Sequence, residues 1–99
     1  MARIELTPAA VEDIDRMVVT HSLPSDTRAR IKRSLRLLEQ FPSVGRQLEG
    51  TWGPLRFILG PWRWLLLVYV HDEQRDVVQV LTIQDARASA SVTSLIAPR

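Results

Sequence analysis

Arginines and tryptophans supply most of the reactive chemistry in this sequence. Arg56 lies in an apolar run, Arg63 sits between Trp62 and Trp64 in GPWRWLLLVYV (60–70), and Arg87 follows the apolar stretch VVQVLTI (77–83). A guanidinium keeps its charge when partly desolvated and presents a planar fork of donors. Arginines converging on one surface therefore make a phosphate or carboxylate site. A turn at Gly60 and Pro61 folds the run containing Arg56 back on the next, an antiparallel pairing that brings Arg56 close to Arg63. Arg87 then enters the same concave surface. Arg63 itself has two readings. It lies across Trp62 or Trp64, or pairs with Asp72, Asp76 or Asp85, as a locally satisfied charge. Alternatively, the tryptophans hold it in a fixed pose toward a nucleic-acid phosphate or an acidic partner segment.

Other chemistries are poorly supplied. There is no cysteine, hence no disulfide, thiolate metal site or thiol nucleophile, and two histidines are too few for a zinc site. No phosphate-cradling glycine loop or nucleophile elbow occurs, and no metal or cofactor is expected. His21 falls in a connection and His71 in a turn, where both read as solvated. Tyr69 lies six strand residues from Arg63, roughly 20 Å by strand rise, and reads as core.

The elements that must hold these residues follow from periodicity. ARIEL (2–6) alternates polar and apolar residues, as a short half-buried strand does. Thr7 and Pro8 then supply an N-cap and a first helical residue. The helix that follows sets Ala10, Ile14, Met17 and Val18 on one face and ends near Thr20. A second helix, from Ser25 to Phe41, places Ile31, Leu35, Leu38 and Phe41 at helical spacing. Its opposite arc carries Arg28, Lys32, Arg33 and Arg36, a basic stripe that reads as a solvated face. FPSVGRQLEGTWGP (41–54) is a Gly- and Pro-rich loop. Three antiparallel strands follow, Leu55 to Leu59, Trp62 to Val70 and Val77 to Ile83. The last two are apolar on nearly both faces, as central strands are. An optional terminal helix starts near Asp85, with Ala88, Val92 and Leu95 on one side. The sum is a small α+β sandwich with both helices on one sheet face.

The chain has 99 residues, 45% hydrophobic and 24% charged, which suits one globular domain spanning residues 1–99. At this length a fold buries roughly 60 to 65% of the surface its unfolded chain exposes. The net charge is only +2, yet the basic residues are twelve arginines and one lysine. That bias suits phosphate or an acidic protein partner, or reflects a high-GC coding sequence. The N-terminus lacks an apolar signal core, and the run from Trp64 to Val70 is far short of the roughly 20 residues that span a bilayer. A cytoplasmic protein that does not engage membranes is expected.

The order of elements, the FPSVGRQLEG segment after the second helix, the arginine in the next strand, the aromatic-Arg pair opening WRWLLLVYV and the strand ending VVQVLTIQDAR resemble the RelE/ParE superfamily of bacterial toxins. The resemblance covers Ile4 to Arg87. It implies the toxin of a type II toxin-antitoxin pair, held in a hetero-oligomer by a cognate antitoxin whose helix and extended tail wrap it. RelE-like members cut mRNA in the ribosomal A site by driving a ribose 2′-OH onto the adjacent phosphate, whereas ParE-like members poison DNA gyrase without a hydrolytic site. In the RelE frame Arg63 matches the arginine that stabilises charge on the scissile phosphate, Arg87 lies within a residue or so of a basic position after the last strand, and Glu49 is a distant candidate base. Arg56 matches a basic strand residue that contacts RNA backbone, and Arg46, Trp62 and Trp64 join it as target-binding residues. The sequence departs from RelE-like nucleases in two ways. Its tail, ASASVTSLIAPR, has no Tyr or His to handle protons, and the lysine-rich surface of ribosome-binding members is missing. General acid-base help is worth roughly 10² to 10⁴ in rate, so arginines alone would bind RNA and cut it poorly. These departures favour a ParE-like or catalytically diverged member. The alternative is an inactive relative acting as an antitoxin-binding or co-repressor module.

Overall fold

The computed structural model describes residues 1–48 and 53–87. Strand β1 (Arg3–Leu6) leads into α1 (Pro8–Thr20) and α2 (Thr27–Gln40); the strands β2 (Arg46–Gln47), β3 (Arg56–Leu59), β4 (Leu65–Asp72) and β5 (Val77–Asp85) follow. They form one five-stranded sheet in the order β1-β5-β4-β3-β2. Only the β1–β5 pairing is parallel. The antiparallel meander is as expected from sequence. The parallel return of the first strand onto the last was not legible there, and it makes the sheet mixed. The terminal helix expected from Asp85 lies outside the described residues; β5 instead continues through Asp85, past the expected end at Ile83. Among the described residues no helix is long and apolar enough to cross a membrane.

Both helices pack on one face of the sheet. Ala10, Ile14 and Met17 of α1 and Ile31, Leu35 and Leu38 of α2 form one buried cluster with Leu65, Leu67, Tyr69, Val78, Val80 and Ile83. Alternation along β4 turns Leu66 and Val68 to the other face, where they too are buried. This explains the nearly continuous apolar run of a central strand.

Two polar side chains fasten α1 to β5. Thr7 caps α1 by accepting from the Ala10 N–H (3.2 Å), and its hydroxyl is shared between the Val80 and Leu81 carbonyls. Leu81 is the extra residue of a β-bulge, because Val68 pairs with Thr82 but Tyr69 pairs with Val80. Past the bulge β5 outruns β1, whose last partner is Val80. Asp13 closes that open edge: its Oδ2 accepts from the Thr82 hydroxyl (2.7 Å) and the Ile83 N–H (3.1 Å).

Candidate functional site

The register between β3 and β4 decides where the arginines go. Arg56 pairs with Tyr69 and Leu59 with Leu66, so the midpoint of the hairpin falls between Trp62 and Arg63. Trp62 to Trp64 therefore belong to the connection and not to the start of a strand. The Gly60 N–H donates to the Leu65 carbonyl (2.8 Å) and closes it. Arg63 is at the apex, while Arg56 is seven residues back, at the far end of β3 and opposite Tyr69. The expected approach of Arg56 to Arg63 does not occur, because antiparallel pairing brings together residues equidistant from the turn.

Arg63 is exposed, with no hydrogen bond, ion pair or ring contact among the described residues. Neither local partner expected for it is used. Trp62 and Trp64 instead stack on one another (centroids 5.8 Å apart, planes 15°) and are half-buried. Other cations take their faces: the Arg87 guanidinium lies 4.3 Å from the Trp64 ring centre, and that of Arg30, from α2, lies 5.8 Å from Trp62. The stack also includes His21, whose ring lies 5.3 Å from that of Trp64 at 10°. The expectation of a solvated His21 is therefore wrong; the connection between the helices carries it onto the hairpin loop.

Asp85 organises this end of the molecule. It accepts from the Arg87 backbone N–H (2.8 Å) and from the Arg87 side chain (Nε 3.0 Å, Nη2 3.1 Å), and it meets His21 Nε2 at 2.9 Å. The Arg87 hydrogen bonds are the largest influence and hold the Asp85 carboxyl well below the usual carboxylate range, with His21 adding to them. The same pairing raises the Arg87 guanidinium. His21 Nδ1 lies 2.9 Å from the Thr20 hydroxyl, so both ring nitrogens have partners. Arg87 does reach the end of the sheet where Arg63 sits, but its charge is already matched by a carboxylate.

Arg56 serves the opposite end. Its Nη1 donates to the Gly45 carbonyl (2.9 Å), and the Gly45 N–H donates to the Tyr69 hydroxyl (2.9 Å). Tyr69 is fully buried, as expected. Burial is the largest influence on its phenol and raises its pKa, partly opposed by the Gly45 hydrogen bond and the Arg56 charge. Arg46 is exposed in β2 and pairs with Phe57. Glu49 lies outside the described residues. His71, expected in solvent, has a side chain only 15% exposed and hydrogen bonds Asp76 (3.0 Å). The basic stripe is exposed as expected, with Arg28 paired to Asp15 of α1.

Sequence reasoning missed His21 and Arg30 as parts of the tryptophan stack, and Asp85 as its anchor. They come from distant segments, and only the i, i+2 spacing of Trp62 and Trp64 hinted that the two rings share a side.

The family of ParE toxins of type II toxin-antitoxin systems (parDE) is matched over residues 4–89. Among solved structures, the chain is similar to the isolated E. coli RelE toxin (18% identity over 97% of this chain and 96% of that one, TM-score 0.67). It is also similar to the intact E. coli RelBE toxin-antitoxin complex (17%, 89% and 100%, TM-score 0.66) and the chromosomal ParDE system from P. aeruginosa (17%, 88% and 98%, TM-score 0.64). No curated protein matches the sequence.

Proposed function

Because the chain belongs to the family of ParE toxins of type II toxin-antitoxin systems, we propose that it arrests growth by inhibiting DNA gyrase, without cutting RNA, and that a cognate antitoxin neutralises it. One observation carries the preference for gyrase. The three arginines that would have to clamp a scissile phosphate are separated: Arg56 is tied to the Gly45 carbonyl, Arg87 is matched by Asp85, and Arg63 is alone at the hairpin apex. Phosphate cleavage needs charge stabilisation and proton transfer around one atom. The described histidine nearest this surface, His21, has both nitrogens engaged. On this reading Arg63 contacts the target as an exposed charge on a rigid, aromatic-braced loop.

Translation inhibition is the second reading. It is favoured by the free guanidinium of Arg63 beside Trp62 and Trp64, a pairing suited to nucleic-acid backbone. Pulse incorporation of labelled thymidine and labelled amino acid, in the minutes after induced expression in a bacterial host, separates the two. Thymidine incorporation falling first supports gyrase, and purified gyrase should then lose supercoiling activity on addition of the chain. Amino-acid incorporation falling first, with new mRNA ends, overturns the proposal. If soluble protein depresses neither, the chain is a binding module.

A further inference from the structure

The basic stripe of α2 divides in the structure. Lys32 and Arg36 line a groove against β1, whereas Arg33 joins Arg30 on the side facing the loop between β3 and β4. There the two arginines line an open hollow of about 400 Å³ with Asp26, Ser34 and Pro61. One wall is the first half of α2 and the other is the hairpin loop. The Arg30 guanidinium, 5.8 Å from the Trp62 ring centre, ties the two walls together.

The charge of this hollow is unbalanced. Arg30 gives only its Nε to the Asp26 carboxylate (2.9 Å), which leaves its two Nη groups without a hydrogen-bond partner among the described residues. Arg33 is exposed and has no hydrogen bond or ion pair among the described residues. Ser34 donates its hydroxyl to the Arg30 carbonyl (3.2 Å), so the donors left to the hollow are guanidinium groups. Asp26 offsets one of the two cations, and the hollow stays positive. Arg63, two residues beyond Pro61 and also without a partner among the described residues, adds its charge on the loop.

The lining selects the ligand. Pro61 is its one apolar residue, so a peptide would find no floor for its side chains, whereas a phosphodiester backbone needs only donors. The neighbouring rings offer no stacking platform: Trp62 is taken by Trp64 and Arg30, and Trp64 by Trp62, His21 and Arg87. Single strands are held largely by splayed bases stacked on free aromatic faces, so a surface limited to backbone contact favours a duplex. We propose that this hollow holds the phosphate backbone of duplex DNA, with the Nη groups of Arg30 and the guanidinium of Arg33 on adjacent phosphates. It rests on the gyrase reading for the source of that DNA, the duplex on which gyrase acts, and adds a DNA contact to the one made with the enzyme.

The test is fluorescence anisotropy of a short labelled DNA duplex of mixed sequence with the purified full chain. Between about 50 and 200 mM salt, log affinity should fall against log salt with a slope of about −2 to −3, as two or three neutralised phosphates require. Arg33→Ala, checked for a native circular dichroism spectrum, should make the slope shallower by about 1 and weaken binding roughly three- to tenfold at about 100 mM salt. Arg33→Lys, which keeps the charge, should restore the slope. Arg75→Ala, at the opposite end of the sheet between β4 and β5, should leave it as in wild type. The proposal is overturned if the duplex is not bound, if Arg33→Ala keeps the wild-type slope, if Arg75→Ala loses as much, or if a single-stranded RNA of the same length binds more tightly than the duplex. Supercoiling by purified gyrase is scored separately. Duplex binding through Arg33 with supercoiling intact removes the gyrase reading and leaves the DNA site, and loss of supercoiling without duplex binding does the reverse.

Discussion

Substituting Gly45 by alanine tests the buried junction that holds the distal end of β3 and β4. A Cβ at this position would lie 2.5 Å from the Tyr69 hydroxyl, 2.7 Å from Tyr69 Cε1 and 2.8 Å from the Phe57 carbonyl oxygen. These are distances that real Cβ atoms do not adopt, and one obstacle is backbone of the strand itself. The φ of Gly45 is not in the left-handed region, so the cost is steric and not conformational. Overpacking of this kind costs about 1–3 kcal/mol. Pushing Tyr69 aside also breaks its hydrogen bond with the Gly45 N–H and disturbs the Arg56 bond to the Gly45 carbonyl, for about 1–3 kcal/mol more. A total of about 2–6 kcal/mol is a large share of the 5–15 kcal/mol typical of a domain, and lowers Tm by roughly 10–30 °C. Urea and thermal unfolding followed by circular dichroism measure it. Adding Tyr69→Phe removes the closest contact, so the double variant should be less destabilised than the sum of the two single changes. A Gly45→Ala variant within about 0.5 kcal/mol of wild type, or strict additivity with Tyr69→Phe, would refute the reasoning.

Arg63→Ala should leave Tm unchanged within the roughly 0.5 kcal/mol expected of an exposed residue while growth arrest is lost, and growth curves beside melting curves check both halves. Arg56→Ala should instead lower Tm, because it removes a donor from the Gly45 junction, so a loss of activity there tracks loss of folded protein. Asp13→Ala should cost about 1–3 kcal/mol in urea unfolding by stranding the Ile83 N–H and the Thr82 hydroxyl at the sheet edge. The Asp85 carboxyl is depressed in the folded state, so its contribution is present above the unfolded carboxylate pKa of about 3.9 and is lost as pH falls below that value. Melting curves from pH 6 to pH 2 should therefore show Asp85→Asn less stable than wild type at pH 6, with the gap closing below about pH 4; parallel curves would count against the Asp85 hub.

Much of the fold was written in local pattern. Thr7-Pro8, the spacing of Ile31, Leu35 and Leu38, and the apolar runs of β4 and β5 located both helices and the meander to within a few residues, because each signal depends only on near neighbours. The site was less legible, because its members meet through tertiary pairing. A one-dimensional reading put Arg56 and Arg63 together by assuming that residues flanking a turn are close. The register shows that closeness depends on equal distance from the apex, and Arg56 is opposite Tyr69. His21 was judged by its place in a connection, yet that connection folds onto the tryptophans. The β1–β5 pairing spans most of the chain and leaves no local trace.

That pairing also sets when the protein can become active. Each residue of β1 meets a partner 74 positions downstream, from Arg3 with Val77 to Leu6 with Val80. Joining such distant segments carries a large loop-closure entropy, and contacts of long sequence separation form late and slowly. A ribosome making this chain releases β1, α1 and α2 well before β5 has left the exit tunnel, so the growing polypeptide has no parallel partner for its first strand. The sheet closes only after β5 has been released. Prematurely terminated products lacking β5 should therefore be unfolded and harmless to the cell that makes them.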